Sequence, residues 1–339
     1  MKLLALTFVT TLFILGGPSR AEVRTFTSSA GTTLKGELVS VVGDTVTIKK
    51  EDGTPLTLKL AAFSRVDQAW LQTQTTAAPA GASDPAKATK DAPFVNSLGM
   101  KFVPVPGTNV LFCTTLAPAQ VYHQFNFEVN KVQLPGPNAE NFDFEKKRAP
   151  SLFPISEINY DKAKAFCDWL SQKEGHAYRM PTDREWSIAI GIGSQESPSS
   201  TPEELDRKIK NLFPWGSSWP PPAGFANYCD ETYLDFCKRN KYTAGDTIKG
   251  YTDGEIACSP MTAYPPNKIG LHDMSGNLLQ WCEGWYDKGQ TRRFLRGSMW
   301  GQSSKADLLA SARYPLDPGM NTKKDLASAI RVVLELPKP

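Results

Sequence analysis

Ile269-Gly270-Leu271-His272-Asp273-Met274-Ser275-Gly276-Asn277-Leu278-Leu279-Gln280-Trp281 interleaves turn-forming Gly, Ser, Asn and Asp with Leu, Met and Trp. Such a stretch predicts fixed turns packed around large side chains, not a long regular element. The same texture runs from about Phe94 to Pro339, where Trp186, Trp215, Trp285 and Trp300 join Trp281 among many Gly and Pro residues. A loop-rich α+β domain is therefore expected there, without repeats or heptads. Each indole buries a large surface and brings an N–H that needs an acceptor, so packing is their main expected use. A sugar-stacking platform is the alternative for one or two of them.

Two helices stand out in this domain. Tyr160 to Lys173 sets Ala163, Phe166, Cys167 and Leu170 at i, i+3, i+4 and i+7, with Gly175 as the stop. Thr182-Asp183-Arg184-Glu185 is a capping box that opens the second, preceded by Pro181 and followed by Trp186, Ile188 and Ala189.

Nearer the N-terminus, Val23 to Ser28, Leu34 to Val41, Thr45 to Lys50 and Pro55 to Leu60 alternate apolar and polar residues. With Gly43-Asp44 and Asp52-Gly53 as turns, they predict a meander of short strands. Ser64-Arg65-Val66-Asp67 reads as a capping box for a short helix through Ala69, Trp70 and Leu71, which makes residues 22–72 a small β-barrel-like domain. Residues 73–93, rich in Thr, Ala, Pro, Gly, Ser and Lys, are expected to be a flexible linker to the main domain at 94–339. Ahead of all this, Lys2, the apolar run Leu3 to Leu15 and Pro18-Ser19-Arg20-Ala21 predict a secretory signal over residues 1–21. The run is shorter than the roughly 20 apolar residues that cross a bilayer, so the expected product is secreted, periplasmic or extracellular, with no transmembrane segment after cleavage.

The 339 residues, 40% of them hydrophobic, suffice for one large domain and a small one. A net charge of +3 from 38 basic and 35 acidic residues argues against nucleic acid or a polyanion as partner. Export favours disulfides among Cys113, Cys167, Cys229, Cys237, Cys258 and Cys282. Cys229 and Cys237 are the nearest pair in sequence, whereas Cys167 and Cys282 sit in apolar patterns as expected core residues.

Several segments, in order, resemble one family. Tyr178-Arg179-Met180-Pro181-Thr182-Asp183-Arg184-Glu185-Trp186 is similar to the arginine-leucine-proline-threonine-glutamate and glutamate-tryptophan segment of formylglycine-generating, or sulfatase-modifying-factor, proteins. Phe213-Pro214-Trp215-Gly216 and Ala226-Asn227 resemble the turns that follow it, and Ile269 to Trp281 resembles the family's central segment. Leu295-Arg296-Gly297-Ser298-Met299-Trp300 resembles its arginine-glycine-glycine-serine motif, and Ile330-Arg331-Val332-Val333 its closing phenylalanine-arginine-valine. The resemblance covers Asn96 to Leu336 and implies a C-type-lectin-like α+β domain. The N-terminal strands, with Phe63-Ser64-Arg65-Val66-Asp67-Gln68-Ala69-Trp70-Leu71, resemble the small actin-adaptor-homology β domain of exported proteins, which implies binding or spacing and no chemistry.

By the same resemblance a structural calcium ion is expected at Asn227, Tyr228, Asp253 and Glu255, and a second at Asp273, Gly276, Leu278 and Gln280. Calcium suits such oxygen-rich loops, but position 280 is normally a glutamate, so the second ion loses one negative charge. The family's oxidases hold copper(I) and the substrate thiol on two cysteines after the arginine-glycine-glycine-serine motif. Here those positions are Gly301 and Ala306, so copper and thiol oxidation are not expected. The groove that accepts a cysteine peptide in the oxidases would be lined by Arg179, Arg296, Ser298, Trp300, Gly301, Ala306 and Arg313, the arginines having loop-fixing as their alternative role. His123, His176 and His272 lack helical zinc spacing, and no serine elbow, phosphate loop or dinucleotide fingerprint is present. The expected function is non-catalytic binding of a peptide, glycan or protein. A divergent oxidoreductase acting on protein cysteine and a cell-surface assembly component are the competing readings.

Overall fold

Apolar–polar alternation in the N-terminal segment produces the four strands it predicts, β1 (Val23–Thr27), β2 (Thr33–Val42), β3 (Thr45–Lys50) and β4 (Pro55–Lys59). They pair antiparallel in the order β1-β2-β3-β4. The sheet is an open meander and not the barrel-like closure expected. Its apolar face is covered instead by α1 (Arg65–Thr73), which packs Leu71 and Trp70 on Phe26, Val46, Ile48 and Phe63. Buried Asp67 ties this unit together, accepting from Thr27 N at 2.6 Å, Ser64 Oγ at 3.0 Å and Arg24 Nη2 at 2.9 Å. Ser64 caps the helix in return, through Asp67 N at 3.2 Å.

The computed structural model describes residues 23–42, 45–73, 84–132, 152–317 and 327–337, and the chain divides into two units, Met1–Thr76 and Ala77–Pro339. The expected signal at 1–21, the Gly43-Asp44 turn and linker residues 74–83 lie outside the described residues. At the described end of the linker span, Asp84 caps a 3-10 turn at Pro85–Lys87, and Lys90 Nζ donates to the Lys268 carbonyl at 2.8 Å.

In the second unit β5 (Phe94–Val95), β6 (Lys101–Pro104) and β7 (Val110–Cys113) begin a sheet that β13 (Val333–Glu335) and β8 (Tyr178–Arg179) complete, in the order β5-β6-β7-β13-β8. A second sheet has the order β11-β10-β9-β12, from β9 (Leu279–Trp281), β10 (Arg293–Arg296), β11 (Arg313–Leu316) and β12 (Ser328–Ala329). The central stretch thus supplies β9 at the middle of a sheet, and its turns stand just ahead of it. Among the described residues five α-helices complete the unit: α2 (Ala119–Asn130), α3 (Tyr160–Glu174), α4 (Asp183–Ile190), α5 (Pro202–Leu205) and α6 (Glu231–Asn240). The α3 stripe is buried as expected, Asn159 caps its start, and Gly175 ends it at φ 70°. The α4 capping box forms in both directions between Thr182 and Glu185.

The cysteines depart from the expected disulfides, for all six are free and buried. Cys229 Sγ lies 3.6 Å from the Asp246 carbonyl, and no disulfide joins Cys229 to Cys237. Cys167 and Cys282 sit in core clusters, the former on α3 and the latter beside Trp186 and Phe294.

Candidate functional site

Asn227 and Tyr228 close the loop before α6, and Asp253 and Glu255 turn back against them after it. Asp253 is fully buried and accepts from Tyr228 N at 2.7 Å and Glu255 N at 2.8 Å. Its own N–H donates to Asp230 Oδ2 at 2.5 Å, and Asp230 Oδ1 caps α6 through Thr232 N and Tyr233 N. Burial, with the Asp230 and Glu255 charges adding to it, pushes the Asp253 carboxyl up to about 7. Asn227 Nδ2 donates to the Ala257 carbonyl at 2.7 Å, which leaves its buried Oδ1 with no hydrogen-bond partner. A buried acceptor without a donor beside a desolvated carboxylate is costly as it stands. A hard cation would satisfy the orphaned Asn227 oxygen, and the carboxylate, amide and carbonyl oxygens of this loop are donors of the kind calcium takes. No group of three His, Cys, Asp or Glu side chains with metal-binding geometry occurs among the described residues, so amide and carbonyl oxygens would complete such a shell.

The central stretch supports this loop directly. Asn277 N donates to the Asn227 carbonyl at 2.9 Å, and a Cβ at Gly276, where φ is 76°, would stand 2.6 Å from that same oxygen. Only glycine fits there.

The second expected position is built differently. Gln280 Nε2 donates to the Asp273 carbonyl at 2.6 Å, while its Oε1 accepts from Arg331 Nε at 2.7 Å and Trp186 Nε1 at 3.3 Å. Arg331 spends its other nitrogens on the Cys113 carbonyl at 2.9 Å and the His272 carbonyl at 2.5 Å. The side-chain oxygen that a metal would need is therefore engaged, with a guanidinium beside it, and the residues do not fit calcium here. Gly276 and Leu278 are buried, and burial pushes the Asp273 carboxyl up to about 7.

Two of the three arginines expected along the groove are internal struts, and the third, Arg179, is half-buried. Arg296 and Arg313 are 0% exposed and share Asp183, which Arg313 Nη2 reaches at 2.7 Å and Arg296 Nη1 contacts directly. Arg313 also forks onto Glu196 at 2.8 and 2.9 Å, and Arg296 stacks 4.1 Å over Trp186 and donates to the Ala310 and Ala312 carbonyls. Arg179 is clamped on Glu185 and Glu335. These guanidiniums fix loops because a carboxylate or carbonyl meets each fork, which the linear order of residues does not reveal. Ser298 is buried too, its Oγ 2.9 Å from Ser275 Oγ and accepting from Gly276 N at 3.1 Å.

Trp300, Gly301 and Ala306 do reach the surface: Trp300 is half-buried against Tyr233, while Gly301 and Ala306 are exposed. No thiol lies at either exposed position, and burial pushes the thiols of Cys113, Cys167, Cys229 and Cys282 up, Cys229 to about 11. Neither of these two exposed positions offers a soft thiolate ligand. Sequence reasoning missed Asp230, although an Asp directly before Glu231 and an amphipathic run is a readable helix start.

Residues 89–334 match the profile of a family described as "Sulfatase-modifying factor enzyme 1-like domain". Over 178 residues the chain is 29% identical to the inactive C-alpha-formylglycine-generating enzyme 2 of Bos taurus, covering 52% of this chain and 47% of that protein. Over 136 residues it is 26% identical to the formylglycine-generating enzyme of Mus musculus, covering 40% of this chain and 28% of that one. The chain thus spans about half the length of the first curated relatives it matches, or less. Among solved structures, CarF aligns with a TM-score of 0.43 at 17% identity, over 67% of this chain and 87% of that one.

Proposed function

The chain belongs to the sulfatase-modifying-factor, or formylglycine-generating-enzyme, family, and we propose that it serves there as a non-catalytic, exported binding module. One observation carries this reading. The two positions where the family's oxidases place copper-binding cysteines are exposed Gly301 and Ala306, while every cysteine of the chain is a buried thiol. Soft thiolates are what select copper(I), and a desolvated thiol is a poor nucleophile and a poor ligand.

What the scaffold retains is a shaped surface. Trp300 and Tyr233 form an aromatic shoulder next to Gly301, where a peptide, glycan or protein partner would rest. Calcium at Asn227, Tyr228, Asp253 and Glu255 would stiffen the loops behind that shoulder, since Cys229 N donates to the Gln302 carbonyl at 3.0 Å and Trp300 N to the Asn277 carbonyl at 3.0 Å. The small N-terminal β unit would act as a spacer or a second contact.

The test is a turnover assay on the full mature chain with calcium, copper, oxygen and a cysteine-containing peptide. Aldehyde on the peptide, read by mass spectrometry, should stay at the level of the protein-free control. Repeated turnover would remove the proposal.

A further inference from the structure

A cavity of about 680 Å³ opens in the second unit between the C-terminal end of α4, the Phe213–Gly216 turn and the loop from Tyr264 to Leu271. Neither Gly301 nor Ala306 lines it. The volume is that of a pocket for a small organic molecule. Ile188, Ile192, Phe225 and Pro265 make its walls apolar, and Phe213 stacks on Trp215 with ring centroids 4.8 Å apart and planes 5° from parallel. The result is a greasy slot with a flat aromatic side.

One lining residue is out of keeping with the rest. Asp273 borders the cavity, is 6% exposed, and holds φ at 52°. Its carboxylate accepts one long hydrogen bond, from Asn277 Nδ2 at 3.3 Å. Arg331, the guanidinium nearest to it, is spent on Gln280 and two carbonyls. Gln280 donates its amide N–H to the Asp273 backbone carbonyl, so that oxygen is already engaged. A buried carboxyl with so little compensation is favoured in its ionised form by a cation, and the aromatic slot suits an apolar body.

We infer that this cavity binds a small primary amine with an aromatic body, its ammonium on Asp273 and its ring against the Phe213–Trp215 wall. The inference is independent of what rests near Trp300. Lys268 also lines the cavity and is exposed.

Calorimetric titration of the full mature chain with 2-phenylethylamine, 2-phenylethanol and phenylacetate tests it. The amine should bind one to one, and at least about tenfold tighter than the alcohol, the difference a charged hydrogen bond makes in a buried site. Phenylacetate should bind weakest. Asp273→Asn should bring the amine to the level of the alcohol, and Ile190→Trp, which fills the cavity from its wall, should weaken both. Melting curves establish that each variant is folded, and the wild-type amine-to-alcohol ratio decides the matter even if Asp273→Asn does not fold. Equal affinity for amine and alcohol, unchanged amine affinity in folded Asp273→Asn, or no binding of any of the three at millimolar concentration would overturn the inference. So would a calcium ion that binds the wild type and is lost in Asp273→Asn.

Discussion

Asp183 opens α4, and its place in the first turn is what the sequence reads: an acid where the helix dipole favours one. The structure adds a larger role, because this carboxylate also lies between two buried guanidiniums. Those partners are 113 and 130 residues away in sequence, so no local pattern announces them. The two arginines respond in opposite directions, for burial pushes Arg296 down while Glu196 and Asp183 hold Arg313 up. Both remain charged, since a guanidinium does not lose its proton in a folded protein. Asp183→Asn should therefore strand buried positive charge and cost about 3–5 kcal/mol. Denaturant midpoints with an unchanged slope would measure it, and a loss well under 1 kcal/mol would rule out the strut. At the same scale, calcium is expected to raise the melting temperature of the wild type and chelator to reverse it, and Asn227→Ala and Asp253→Asn should each abolish that rise. An equal calcium shift in all three proteins would show that the ion is elsewhere.

Elements were legible where they carry their own punctuation. α3 has an apolar stripe with a terminal glycine and α4 a capping box, and both stand where the sequence puts them. α2 was missed because Pro118 gives it no side-chain cap, and its buried Val121, Tyr122 and Phe125 are interrupted by polar residues. The N-terminal strands were legible as strands, but not their failure to close, since coverage by α1 is a tertiary outcome. α2 and α3 are joined by Glu128, which takes Lys173 Nζ at 2.9 Å, Gln124 Nε2 at 2.9 Å and Trp169 Nε1 at 2.8 Å. These bonds, Lys173 first, hold the Glu128 carboxyl down to about 2. A depressed carboxyl stabilises the fold above its ordinary value of 4.5, and that contribution fades as pH falls toward about 2. Because the side chain is 35% exposed, solvent screening keeps the worth of the clamp to about 0.2–1 kcal/mol. Glu128→Gln should thus lower the urea midpoint at neutral pH and converge with the wild type in acid. A constant gap across that range would contradict the clamp.

The whole molecule was the most legible scale, because the family's motifs are short, collinear and spread from residue 178 to residue 333. Such motifs fix turns and core tryptophans locally, so their order carries the fold even where regular structure is sparse. Contacts between motifs were not legible in the same way. The support that Asn277 gives Asn227 spans 50 residues, and the cavity beside Asp273 is lined by the end of α4, the Phe213–Gly216 turn and the Tyr264–Leu271 loop. The departures were legible too, as Gly301, Ala306 and Gln280, but the structure was needed to give them meaning. The first two face solvent without a thiol, and the side-chain oxygen of the third accepts hydrogen bonds from Arg331 and Trp186.

Loss of the copper-binding thiol pair is the claim on which the functional account stands. The direct measurement is anaerobic competition for copper(I) between the mature protein and a chromophoric chelator, with Gly301→Cys/Ala306→Cys alongside. The wild type should leave copper with the chelator, and the double variant should withdraw about one equivalent through its restored thiols. A wild-type protein that takes one equivalent of copper(I) as firmly as the double variant would contradict the account.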